Sequence, residues 1–77
     1  MNMPKGQKAR VYEYMKRYGG ITPLDALREF GIMRLAAVIY DIRNDDEFDC
    51  DIQTNMEEST NRFGEKVKYA RYVLKGD

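Results

Sequence analysis

Three helices followed by a two-stranded antiparallel ribbon, an α+β fold, is what this 77-residue sequence predicts. Three observations predict it. Apolar residues recur at helical spacing in three separate blocks as far as Ile42. After the acids Asp45, Asp46 and Glu47 the apolar period changes to two. A turn-forming stretch, Ser59-Thr60-Asn61-Arg62-Phe63-Gly64, then divides two extended segments.

In the first block, about Gln7 to Tyr18, Val11, Tyr14, Met15 and Tyr18 fall on one helical face and Lys8, Arg10, Lys16 and Arg17 on others. Gly19-Gly20 ends it, because glycine accepts the left-handed backbone of a helix C-cap. Ile21 is expected to form a very short extended piece. Thr22-Pro23-Leu24-Asp25 starts the second helix: Thr22 caps, Pro23 pre-sets the first helical φ, and Asp25 returns the cap's hydrogen bond. Leu24, Leu27 and Phe30 are its expected buried face, and Gly31 stops it. The third helix begins near Met33 and carries Leu35, Val38, Ile39 and Ile42 at core spacing, with Arg34, Ala37 and Asp41 opposite. It is expected to end around Asn44, since Asp45, Asp46 and Glu47 are at the wrong end for the helix dipole.

In the first extended segment Ile52, Thr54 and Met56 alternate with Gln53, Asn55 and Glu57, the pattern of a half-buried strand. Asn61 and Gly64 in the following loop tolerate positive φ. Lys66 to Leu74 is rich in β-branched and aromatic residues and should pair back. Arg71 shares a face with Val67, Tyr69 and Val73, so the face of Ala70, Tyr72 and Leu74 is the one expected inside.

The chain is read as one domain, 1–77, with residues 1–6 a flexible arm. The longest apolar run, Leu35 to Tyr40, is far short of the roughly 20 residues that cross a bilayer. The polar, basic start lacks the apolar stretch of a secretory signal, and a lone Cys50 fits the cytosol, as a small half-buried hydrophobe. With no histidine, Ser-His and Cys-His pairs and imidazole metal sites are excluded. Asp49 and Asp51 have alternate spacing, but the glycine and terminal glutamate of a calcium loop are missing at the required offsets. No enzyme, cofactor or metal is therefore expected.

Three helices and a ribbon, with a glycine-containing turn between the second and third helices, is the layout of a winged helix-turn-helix. The segments Ile21-Thr22-Pro23-Leu24-Asp25-Ala26-Leu27, Phe30-Gly31-Ile32, Arg34-Leu35-Ala36-Ala37 and Ile39-Tyr40-Asp41-Ile42-Arg43 resemble the small winged helix-turn-helix domains of bacteriophages and prophages, as does the closing Tyr69-Ala70-Arg71-Tyr72 with Leu74. The resemblance implies double-stranded DNA binding by a small regulator or architectural factor in the host cytosol. It departs at Asn44-Asp45-Asp46-Glu47-Phe48-Asp49, where acids replace the usual glycine turn, so this connection is not expected to face DNA.

The 13 basic and 13 acidic side chains cancel, which at first argues against a nucleic-acid partner. They are segregated, however: residues 1–44 carry +4, residues 45–61 carry −7 and residues 62–77 carry +3. Screening over about 8 Å makes the local basic face matter more than the total.

On this fold the third helix is the reader, in the major groove. Arg34 is a candidate for guanine or phosphate through its planar fork of donors, Ala37 (with Ala36) for close approach to a thymine methyl, and Tyr40 for a place along a groove, its plainer role being a core flank. Thr22 offers a phosphate its hydroxyl and neighbouring amides, or simply caps its helix. Arg62 and Lys66 beside the hairpin loop are candidates for the backbone or minor groove, and Lys5, Lys8 and Arg10 form a basic arm. The competing reading is a protein-interaction module whose acids over 45–58 mimic a phosphate backbone for a host nucleic-acid-binding protein. The expected oligomeric state is a monomer or a homodimer.

Overall fold

The computed structural model describes residues 6–48 and 50–75. Its order is α1 (Gly6–Tyr18), α2 (Pro23–Phe30), α3 (Leu35–Arg43), β1 (Ile52–Thr60) and β2 (Lys66–Leu74), with the two strands antiparallel. This is the expected α+β, winged helix-turn-helix architecture. Of the expected arm only Gly6 is described, and Lys8 and Arg10 belong to α1; Lys5 and Asp49 lie outside the described residues.

Local signals place the helix ends. The Thr22 hydroxyl accepts from the Asp25 backbone N–H at 3.1 Å and the Asp25 carboxylate accepts from the Thr22 N–H at 3.1 Å, a complete capping box. Gly31 closes α2 at φ 68°, where a side chain would be strained, and this tight turn aims α3 across the first two helices. Helix α3 starts at Leu35, two residues after the expected Met33, with Arg34 at its N-cap position. It stops at Asn44, whose side-chain amide donates to the Tyr40 carbonyl at 2.8 Å.

The core joins Val11 and Met15 of α1, Ala26 of α2, four residues of α3 (Leu35, Val38, Ile39, Ile42), and Ile21, Ile32 and Ile52. Three expectations fail here. Leu24 and Leu27 are 58% and 46% exposed, because α2 packs through Ala26, whose small side chain lets it lie close, and only Phe30 at its end is half-covered. Tyr18 is 65% exposed: it stands on the last turn of α1, past the core, with its ring on Tyr14 at 4.6 Å. Strand β1 buries Ile52 alone, while Thr54 and Met56 face water, because the ribbon runs on beyond the helices that would cover them.

At the base of the ribbon the expected face of β2 is inside, with Tyr72 and Leu74 packed against the core. Ile21 bridges Tyr72 by a reciprocal pair of backbone hydrogen bonds, both 2.9 Å, so β2 is central between Ile21 and β1. Gly20 permits this pairing: a Cβ there would stand 2.9 Å from Val73 Cγ1 and 3.2 Å from the Tyr72 carbonyl oxygen. Cys50 is half-buried against the core, as expected of a small hydrophobe.

Candidate nucleic-acid interface

Helix α3 buries the stripe Leu35, Val38, Ile39 and Ile42, so the 3.6-residue period turns Ala37, Tyr40 and Asn44 to the opposite side. All three are exposed, Tyr40 at 67%, which rules out the core-flank role for its ring. Arg34 is exposed at the start of the helix, and with Ala37, Met33 and Asp41 it lines an open cleft between the start of α1 and the α2–α3 turn. Arg34, Ala37 and Tyr40 are thus all accessible, from the start of α3 to just past its middle. Thr22 does not join them. It is 6% exposed and its hydroxyl is engaged by the cap, so of its two readings the cap is the one its surroundings fill.

The flanks of α3 differ. Arg43 donates to the Ile52 carbonyl at 2.8 Å and to the Thr54 hydroxyl at 3.0 Å, tying the C-terminal end of α3 to the base of the ribbon. On the side of α1, Lys8 meets Asp45 at 2.6 Å, and Asp41 and Glu47 add to the negative field around it. The turn after α3 is folded back rather than loose: Asp45 also accepts from the Glu47 N–H at 3.0 Å, and Phe48 packs its ring edge on Tyr12 at 5.2 Å. Lys8 is therefore held by the protein's own acid.

The Lys8 ammonium, seconded by the Glu47 N–H, holds the Asp45 carboxyl below its usual 3.8, and the same pairing raises Lys8 above 10.5. A lowered folded pKa means that ionised Asp45 stabilises the fold above pH 3.8 and that this contribution disappears as pH falls through the lower folded value. The Lys8 contribution is complete below pH 10.5 and is lost only as pH rises through its higher folded value. Asp45→Asn keeps the acceptor for Glu47 and removes the charge. Its melting temperature should lie below that of the parent at neutral pH, and the gap should close as the solution is acidified below pH 3.8. A gap that persists in acid means that the pair contributes nothing through charge.

The ribbon divides its side chains by the alternation of the pairing. Ile52↔Leu74, Thr54↔Tyr72, Met56↔Ala70, Glu58↔Lys68 and Thr60↔Lys66 lie on the helix-facing side. Lys66 and Lys68 therefore continue, past the end of the core, the same face that Arg43 touches. Lys68 was missed in the sequence, although its spacing of two from Lys66 is the signal that joins them. The outer face holds Glu57 and Arg71, paired at 2.9 Å, which lowers the pKa of Glu57. From Thr54 to Thr60 the strand rises about 20 Å. Successive grooves of a duplex are about half a turn, roughly 17 Å, apart. The loop at the far end of this ribbon therefore stands about that spacing from the point where Arg43 meets Thr54.

The model of the winged helix-turn-helix domain matches residues 6–76, nearly the whole chain. The protein belongs to that family, whose members are generally DNA-binding modules without enzymatic activity. No curated protein and no solved structure matches the chain. Among the described residues no helix is long and apolar enough to cross a membrane.

Proposed function

We propose that this domain binds double-stranded DNA sequence-specifically, as a small regulator or architectural factor of phage or prophage type acting in the host cytosol. Helix α3 enters the major groove with Arg34, Ala37 and Tyr40, and the ribbon end lays Arg62, Lys66 and Lys68 on the backbone or adjacent minor groove. The observation that carries this reading is the outward face of α3. It is open along Ala37 and Tyr40, while Asp45, one of the acids that follow it, is drawn toward α1 by Lys8. Zero net charge is then no obstacle. The small side chain of Ala37 admits the helix deep into a groove, and Arg34 supplies the directional donors.

Two of the acids are withdrawn from a phosphate mimic, Asp45 by Lys8 and Glu57 by Arg71, and Glu57 and Glu58 point to opposite faces of β1, so the DNA-binding reading is preferred.

Selection from a randomised duplex library at two salt concentrations tests the proposal. One sequence motif should be enriched, and Arg34→Ala should relax preference at one base pair by about 1–3 kcal/mol. A palindromic motif indicates a homodimer and a single half-site a monomer. Unchanged selectivity in Arg34→Ala removes α3 as reader, and a library with no enriched sequence removes sequence-specific binding.

A further inference from the structure

Phe63, at the end of the ribbon, is 79% exposed. The loop that carries it is tightly built. The Asn61 side-chain oxygen accepts from the Phe63 N–H at 2.9 Å and the Glu65 N–H at 3.0 Å, and its amide donates to the Glu65 carboxylate at 3.0 Å. The Asn61 backbone N–H donates to the Glu65 carbonyl at 2.9 Å and its carbonyl accepts from Gly64 at 3.0 Å. Gly64 at φ 80° completes the turn. Of the two residues that tolerate positive φ, Gly64 alone adopts it, and Asn61 shapes the loop through these hydrogen bonds. A flexible loop would let the phenyl ring fold onto Met56 or Val67; this one holds it in water.

Its surroundings say what could receive it. Arg62, Lys66 and Lys68 are all exposed around it, and the one acid of the loop, Glu65, has its carboxylate engaged by Asn61. The cations suit a polyanion, and the ring has neither donor nor acceptor with which to read a base edge. What it offers a duplex is a flat apolar wedge. We infer that Phe63 inserts between two base pairs of the minor groove next to the one that holds α3, unstacking that step and bending the DNA toward the major groove. This rests on the DNA-binding reading and adds to it a source of specificity. Pyrimidine–purine steps unstack most readily, so one should be preferred about half a helical turn from the α3 footprint, with no base hydrogen bond there.

The test uses a duplex of about 30 bp built on the best-bound sequence, end-labelled for energy transfer and carrying 2-aminopurine at the predicted step. Binding of the parent protein should shorten the end-to-end distance and raise the 2-aminopurine emission. Phe63→Ala should bind about tenfold more weakly and leave the duplex straight and the emission low, with the salt slope unchanged because Arg62, Lys66 and Lys68 remain. Phe63→Leu should keep part of the bend. A mismatch at the same step, which lowers the unstacking cost that the parent alone pays, should strengthen parent binding and widen its lead over Phe63→Ala. A bound but straight duplex with the parent protein, or an equal bend with Phe63→Ala, overturns the wedge and leaves DNA binding intact. Failure of the parent to bind any duplex overturns both.

Discussion

Ile42→Ala should destabilise the domain by about 2–5 kcal/mol, the cost of lost transfer energy plus the cavity left behind. Ile42 is fully buried and sits on the last turn of α3, packed with Ile39, Val11 and Met15 in the single core that all three helices and the ribbon base share. A domain of this length has a total stability of roughly 4–12 kcal/mol, so the variant should melt at least roughly 10 °C lower and populate unfolded chains at growth temperature. Leu24→Ala is the matched comparison. It removes the same type of bulk from a helix, but at a side chain 58% exposed, so its effect should stay within about 0.5 kcal/mol. Thermal and urea unfolding of the two variants measure the difference. Equal losses would mean that Leu24 is covered in solution and that α2 packs differently from the arrangement described.

That comparison marks where sequence reasoning ran out. The Thr22-Pro23-Asp25 cap and the Gly31 stop were readable because their causes lie within four residues of one another. The buried stripe of α3 was readable because a strongly apolar helix has only one face rich enough to be inside. Leu24 and Leu27 show the limit. Periodicity says which side chains share a face, but what covers that face depends on how closely α1 approaches, and Ala26 decided this.

The ribbon gives the same lesson. Its alternation identifies Ile52, Tyr72 and Leu74 correctly as inward, yet Thr54 and Met56 on that face are exposed, since period two carries no information on where the helices end. In the candidate interface, the sequence left Tyr40 between a groove position and a core flank and only the fold shows its ring exposed, while the pairing of Lys8 with Asp45 spans 37 residues and has no local signature. That contact changes how the charge pattern is read. The basic start of the chain and the acidic turn partly neutralise one another, and the ribbon end keeps a small positive excess, Arg62, Lys66 and Lys68 against Glu65 and the Glu58 that faces Lys68.

If so, the ribbon end should dominate the salt dependence of DNA binding. The triple variant Arg62→Gln, Lys66→Gln, Lys68→Gln removes three exposed cations, none of them in a salt bridge among the described residues. Each phosphate neutralised contributes about 0.9 to the slope of log affinity against log salt, so the slope should fall by about 2–3. At low salt the affinity should drop by about two to three orders of magnitude, and the deficit should shrink as salt is raised, because released counterions drive these contacts. Lys75→Gln is the control. Lys75 lies at the base of the ribbon, where its N–H pairs with the Asp51 carbonyl at 2.8 Å, about 30 Å along the strand from Lys66 and well beyond a screening length. Its slope should match the parent's. A triple variant with an unchanged slope would place the contacted phosphates elsewhere, and Lys16, Arg17 and Arg28 on α1 and α2 would be the next cations to remove.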